Sequence, residues 1–279
     1  MPWYQRLMKI DRRILYLTMF IGITWVMFFP IGLPIPAEES TKVSWDYINA
    51  LPAGSVVLYS FDTSASAMTE TKPPSEVLIR RSFELGHKVV MISTTAQGNS
   101  LSSLWIDPII KEMGMIYGVD VVHLGFIVSW QAWMEQARTD LSGAVGGIDK
   151  YGTKLSDIPM MKNITKAKDF ACVFSFYGTD PGPHGWITAW NATENIDVDT
   201  ACTAVSTPVC YNYYQAGLLK GVVGGIAGAA YLEILAGHPG SAVSIMDGQS
   251  IAHLIIVIFM IVGNFSYFIN RYYEKKRKH

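Results

Sequence analysis

The sequence predicts an α/β domain, a parallel sheet in a three-layer, Rossmann-like arrangement, held between two transmembrane helices. Three observations carry this expectation. Two stretches, 14–37 and 248–270, contain no Asp, Glu, Lys or Arg. Between them, short and nearly continuous apolar, β-branched runs alternate with helical patterns, the mark of parallel strands buried on both faces. Charged residues make up 16% of the 279 positions, against about 25% in soluble globular chains, and mean hydropathy is positive at +0.23.

Residues 1–13 form a basic tail, with Arg6, Lys9, Arg12 and Arg13 against Asp11. The first span is expected at 14–33, since roughly 20 apolar residues cross a bilayer core of about 30 Å. Pro30, Pro34 and Pro36 end that helix and force an extended exit. A secretory signal ending at the small residue Ala37 is the alternative, although the apolar stretch is long for one.

The central domain, 38–247, is read element by element. Ser55–Phe61 is a strand, then Pro73–Leu85 a helix opened by a Pro-Pro pair and stopped by Gly86. Lys88–Ser93 is the second strand, Leu104–Tyr117 the next helix, Asp120–Ile127 the third strand and Trp130–Arg138 a short helix. Residues 139–169, with Gly143, Gly146, Gly147, Gly152 and Pro159, break the pattern as a long excursion or flap, a length that is uncommon without a role. Ala171–Phe176 is the fourth strand, His184–Trp190 a helical turn and Thr200–Val205 the fifth strand. Pro208–Leu219 reads as helix, Gly221–Val223 as a short strand and Gly228–Leu235 as the last helix. The apolar run 217–235 carries Lys220 and Glu233 and is read as buried in the domain rather than as a third span.

The second span is expected at 248–270, followed by a basic tail, 271–279. His253, Asn264 and Ser266 lie in this span; polar groups there are costly against lipid and are expected to face protein. The tails are net +3 and +4, while the 257 residues between them hold 13 basic and 21 acidic groups. Basic flanks stay on the cytoplasmic side. Both termini are therefore expected in the cytoplasm and the α/β domain outside it, in the cell membrane by two passes. A central net charge of −8 argues against a nucleic-acid partner.

Cys202 and Cys210 are close enough in sequence to form a small disulfide in an oxidising compartment; two buried free thiols are the equal alternative. Cys172 lies in an apolar run and reads as core. In an open parallel sheet, ligands bind beyond the carboxyl ends of the strands. There the chain offers Asp62, Thr63 and Ser64 after the first strand, Thr94 and Thr95 after the second, and Asp180 after the fourth. Asp62, Asp180 and His184 are candidate metal ligands if they converge, whereas helix capping and Asx-turns are the commoner use of such Asp residues.

Gly217, Gly221 and Gly225 recur every four residues, which suits close packing better than phosphate binding, because neither GxGxxG nor a P-loop occurs. GxSxG, HExxH and CxxC are also missing. His123 sits inside an apolar strand and reads as a core residue. Asn163-Ile-Thr165 and Asn191-Ala-Thr193 are N-glycosylation acceptors only in a host with the machinery.

The segments KIDRRILYL, PAGSVVLYSFD, LSDIPMM, GLLKGVVGGIAGAAYLE and MDGQSIAHLIIVI together resemble an uncharacterised family of prokaryotic two-span membrane proteins with an extracytoplasmic Rossmann-like domain. The likeness covers most of the chain, and the last segment is its most specific part. It implies architecture only, with no activity, cofactor or catalytic residue. The sequence thus predicts a non-catalytic, membrane-anchored subunit or scaffold of an oligomeric cell-envelope complex. No cofactor is expected. Its partners are the lipid bilayer and either further copies or other membrane-protein subunits, with Asn264 as a helix-packing residue. An extracytoplasmic small-molecule sensor, or a metal-dependent hydrolase using the strand-end Asp, Ser and Thr groups, is the alternative.

Overall fold

The structure, a computed structural model, describes residues 11–29 and 31–277, with side chains as far as residue 273. Of the expected tails, residues 1–10 and 278–279 lie outside the described residues, as does Pro30, while 271–277 continue the last helix. The chain divides into an α/β unit, Ile35–Ala242, and a helical unit made of its two ends.

In the α/β unit, β1 (Val56–Ser60), β2 (Lys88–Ser93), β3 (Val121–Phe126), β4 (Cys172–Tyr177), β5 (Asp197–Cys202) and β6 (Val222–Gly224) form one sheet. Every pairing is parallel, and the strand order is β3-β2-β1-β4-β5-β6. That order is compatible with a Rossmann-like fold, two halves diverging between β1 and β4. Alternate strand residues serve opposite faces. Leu58, Val90, Ile92, Val122 and Val173 join one core with Trp133, Trp186 and Trp190. Val57, Tyr59, Val89, Met91, Phe174 and Phe176 join the other with Leu78 and Trp105. Burial on both faces accounts for the unbroken apolar runs.

Local chemistry moved several boundaries. The helix expected from Pro73 spans Met68–Glu84, so the Pro-Pro pair lies inside it, both prolines buried. The helix expected from Leu104 begins at Ala96, because Thr95 Oγ1 caps it by accepting from Gly98 N at 2.8 Å. β5 begins three residues earlier than expected. Asp197 and Asp199 belong to it because Tyr47 and Ser44 supply hydroxyl donors to their carboxylates. Those donors sit on Glu39–Ala50, a helix the sequence pattern did not announce: its buried face is Ser40, Thr41, Ser44 and Ile48 rather than an apolar stripe.

The excursion is a packed layer and not a flap. It contains one short helix and three 3₁₀ turns, and Leu141, Leu155, Ile158, Met160, Met161 and Ile164 are all buried in the core.

In the helical unit, Arg12–Phe28 is a helix of 17 residues, about 25 Å at 1.5 Å per residue. The expected span 14–33 is thereby shortened: the helix stops at Phe28, two residues before Pro30, as the steric restriction ahead of proline requires. Among the described residues one helix is long and apolar enough to cross a membrane, Ser241–Tyr273 within Ser241–Arg277. The two helices run antiparallel. A Cβ on Gly22 would meet Ile255 and Ile251 side chains at 2.9 and 3.2 Å. Beyond the first helix, the N–H groups of Ile31, Gly32 and Leu33 donate to the buried carboxylate of Asp247 at 2.8–2.9 Å. Asp247 thus takes up amides that a helix ending at Phe28 leaves without carbonyl partners.

Candidate functional site

The place to look for a ligand in this sheet is the crevice beyond the carboxyl ends of β1 and β4, where the strand order reverses. Asp62 stands there, directly after β1 and fully buried. Its Oδ1 accepts from Ser60 Oγ at 2.5 Å and Thr94 Oγ1 at 2.8 Å. Its Oδ2 accepts from Ser175 Oγ at 2.7 Å and Trp186 Nε1 at 3.1 Å. Burial pushes the carboxyl pKa up, and these four donors pull it down. Two donors per oxygen fill the lone pairs of a carboxylate.

The backbone closes the same place. The carbonyl of Asp62 accepts from Gly178 N at 2.7 Å and Thr179 N at 2.9 Å, joining the loops after β1 and β4 across the point of divergence. The loop after β2 is stitched in as well. Thr95 Oγ1 donates to Thr63 O at 2.6 Å, Ala65 N to Gln97 Oε1 at 3.1 Å, and Thr94 Oγ1 also reaches Asp180 O at 3.3 Å. Gly178 is required by this closeness, since a Cβ there would lie 2.5 Å from that of Ala67.

The sequence-expected site residues therefore separate by role. Asp62, Thr94 and Thr95 are brought together as a hydrogen-bonded closure. Thr63 is buried with its hydroxyl 2.9 Å from that of Thr71, and Ser64 pairs with Ser66. Asp180 is exposed and contributes its backbone carbonyl. His184 is exposed, its Nδ1 3.2 Å from Tyr213 Oη. The metal reading of Asp62, Asp180 and His184 fails: among the described residues no three His, Cys, Asp or Glu side chains are grouped to hold an ion. The physical reason is that the Asp62 carboxylate is already saturated by neutral donors.

Cys202 and Cys210 are buried free thiols, as is Cys172. The interaction between these two neighbouring thiols, Cys202 and Cys210, holds Cys202 below the usual thiol range and pushes Cys210 up, and Cys202 Sγ lies 3.6 Å from Thr207 Oγ1. The four-residue glycine spacing does not form one helix face. Gly217 is a turn with φ +74°, Gly225 a strand-to-helix junction with φ +56°, and Gly221 lies against Ser44, whose Oγ a Cβ would approach to 2.2 Å. Only Gly221 and Gly225 are close-packed, and both within the domain. His123 is a core residue: Nε2 lies 2.8 Å from Ser102 Oγ, Nδ1 accepts from Gly125 N, and burial pushes its pKa down to about 3.

Sequence reasoning missed Ser60, Ser175 and Trp186 as partners of Asp62. The two serines were signalled as hydroxyls interrupting the apolar runs VVLYS and CVFSF. It also missed Asp199, fully buried on β5. Asp199 Oδ1 accepts from Ser44 Oγ at 2.8 Å and Thr200 N at 2.6 Å, while Oδ2 has no partner among the described residues. Burial pushes this carboxyl up to about 7.

Away from the crevice, an open groove of about 720 Å³ runs between the helices Glu39–Ala50, Met68–Glu84 and Ala96–Glu112. Its charges are largely mutually paired: Arg80 forks onto Glu112 at 2.8 and 3.0 Å, and Arg81 bonds Glu84 and Asn49. Fold and site together define an α/β protein with a six-stranded parallel sheet whose buried strand-end carboxylate, Asp62, is held by four of the chain's own side chains. No family model, curated protein or solved structure matches the chain.

Proposed function

We propose that the chain is a non-catalytic, membrane-anchored subunit or scaffold of a cell-envelope assembly, displaying its α/β domain outside the cytoplasm. The observation that carries this reading is the closure at Asp62. A carboxylate with four internal donors, beneath loops bonded to one another, braces the place where such a sheet otherwise admits a ligand. Rigid display of surface, not turnover, is what that arrangement favours.

The helical unit supports the anchoring part. Both helices expose apolar side chains, among them Phe20, Trp25, Phe28, Met260, Ile261 and Phe265, each more than half exposed; lipid is the natural cover for so much apolar surface. Their antiparallel packing favours two passes. The 17-residue helix can cross with bilayer thinning or with flanking residues completing the span. The basic tails then share the cytoplasmic side. Asn264 is exposed on the long helix, with no hydrogen bond among the described residues, so a second copy or a partner helix would supply its amide with partners.

The test is the mass of the detergent-extracted particle with identification of whatever co-purifies. An oligomer or a stoichiometric partner is expected, and a detergent-bound monomer without one ends the proposal. In intact cells, a membrane-impermeant thiol reagent should reach a cysteine placed by Glu38→Cys and miss one placed by Lys276→Cys.

A further inference from the structure

The chain carries three triplets of N-glycan acceptor form; Asn264-Phe-Ser266 lies within the long apolar helix Ser241–Arg277, and the fold treats the other two differently. Asn163 ends the 3₁₀ turn Met160–Asn163 on the surface of the excursion and is exposed. Its side chain makes no hydrogen bond among the described residues. Ile164 follows in extended backbone, φ −117° and ψ 90°, and Thr165 is exposed, its hydroxyl donating to Asp169 Oδ2 at 3.1 Å. Asn191 ends the π-helical segment Ile187–Asn191 and is half-buried. Its Nδ2 donates to Ile196 O at 2.9 Å, its carbonyl accepts from Asn195 N at 3.0 Å, and the Thr193 hydroxyl is bonded to Ala189 O.

We infer that Asn163 is an N-glycan acceptor of the folded protein and that Asn191 is not. The inference rests on the reading that residues 38–247 lie outside the cytoplasm. The reaction needs an amide nitrogen free to attack. Asn163 Nδ2 forms a bond to C1 of a sugar carried on a lipid-linked phosphate or pyrophosphate. The C1–O bond to that carrier breaks, the carrier leaves with its electron pair, and the amide gives up one proton. No oxidant or reductant is involved. Asn163 presents its amide on an exposed surface turn, the setting such modification favours. Asn191 must first lose the hydrogen bond to Ile196 and unwind its helical turn.

Asn163 also borders a shallow groove of about 370 Å³ at the amino-terminal edge of the sheet, beside Val56, Lys88 and Val119. A glycan there covers this edge and leaves the opposite, carboxyl edge for protein contacts.

The purified full chain in detergent is treated, folded or urea-unfolded, with a single-subunit oligosaccharyltransferase and its lipid-linked glycan, then mapped by peptide mass spectrometry. The folded chain should favour Asn163 over Asn191 by about tenfold or more, as expected when one amide must first break its hydrogen bonds. The unfolded chain should take glycan at both, and Asn163→Gln should abolish modification of the folded chain. Glycan on folded Asn191, or a bare folded Asn163 when the unfolded chain is modified, overturns the inference. The chain from its own membranes should carry glycan on the Asn163 peptide. If Asn163 is bare there while the Glu38→Cys thiol is labelled from outside, the inference fails and the topology stands. If that thiol is shielded, both fail.

Discussion

Replacing Asp199 with Asn should abolish the pH dependence of stability that this buried carboxyl imposes. Asp199 is fully enclosed, with two donors on Oδ1, and its pKa is pushed from 3.8 up to about 7, mainly by loss of water. A folded-state pKa above the unfolded one gives stability that is complete below about pH 4 and is lost as pH rises toward 7. The shift of about three units corresponds to about 4 kcal/mol between those limits. Asn is neutral throughout and keeps an acceptor for Ser44 and Thr200. Its NH₂ group takes the place of the unpartnered Oδ2, which costs about 1–3 kcal/mol. The variant should therefore be less stable than the parent near pH 4 and more stable by about 1–3 kcal/mol near pH 8. The assay is denaturant unfolding of the full chain in mild detergent, followed by tryptophan fluorescence at steps from pH 4 to 9. Taking the difference between variant and parent cancels the other titrating groups. A difference that stays constant across this range would refute the reasoning, because Asp199 would then be charged, or neutral, in both states throughout.

Three further outcomes follow from the packing. Asp62→Ala strands four buried donors and should destabilise the domain by about 3–5 kcal/mol in the same unfolding measurement, with Asp62→Asn less harmful; a loss under about 1 kcal/mol would mean the closure is not bracing the loops. Gly221→Ala forces a methyl to 2.2 Å from Ser44 Oγ and 2.7 Å from Ser44 N, and should lower stability by about 1–3 kcal/mol through displacement of that helix. At Gly217, where space is open but φ is +74°, the same change should cost only about 1 kcal/mol. Asn264→Leu should leave domain unfolding unchanged while weakening the extracted particle by about 0.6–2 kcal/mol per interhelical bond lost, read from the concentration dependence of its mass.

Much of the architecture was legible because burial on two faces writes itself into composition. VVLYS and KVVMIS have few other stable settings than central parallel strands. The helix Glu39–Ala50 was illegible for the opposite reason. Its buried face is hydroxyls and one isoleucine, and those hydroxyls make sense only opposite Asp199, Val222 and Gly221, all more than 150 residues away in sequence. The candidate site was half legible. The strand-end rule located Asp62, but whether a strand-end carboxylate meets solvent or four donors depends on side chains from β4 and from the helix carrying Trp186.

Local sequence alone determined the alternation of strands and helices and the apolar helical segments at the two ends, because hydrophobic periodicity acts over neighbouring residues; the stop of the first helix at Phe28, short of the expected Leu33, came from the structure. Tertiary structure alone decided that Asp62 meets four internal donors, that the glycine repeat belongs to three different local geometries, and that three amides beyond the first helix rest on Asp247 at the start of the last. Those outcomes depend on which groups meet across long stretches of chain, and a buried polar atom is tolerated or costly according to the partner it finds there.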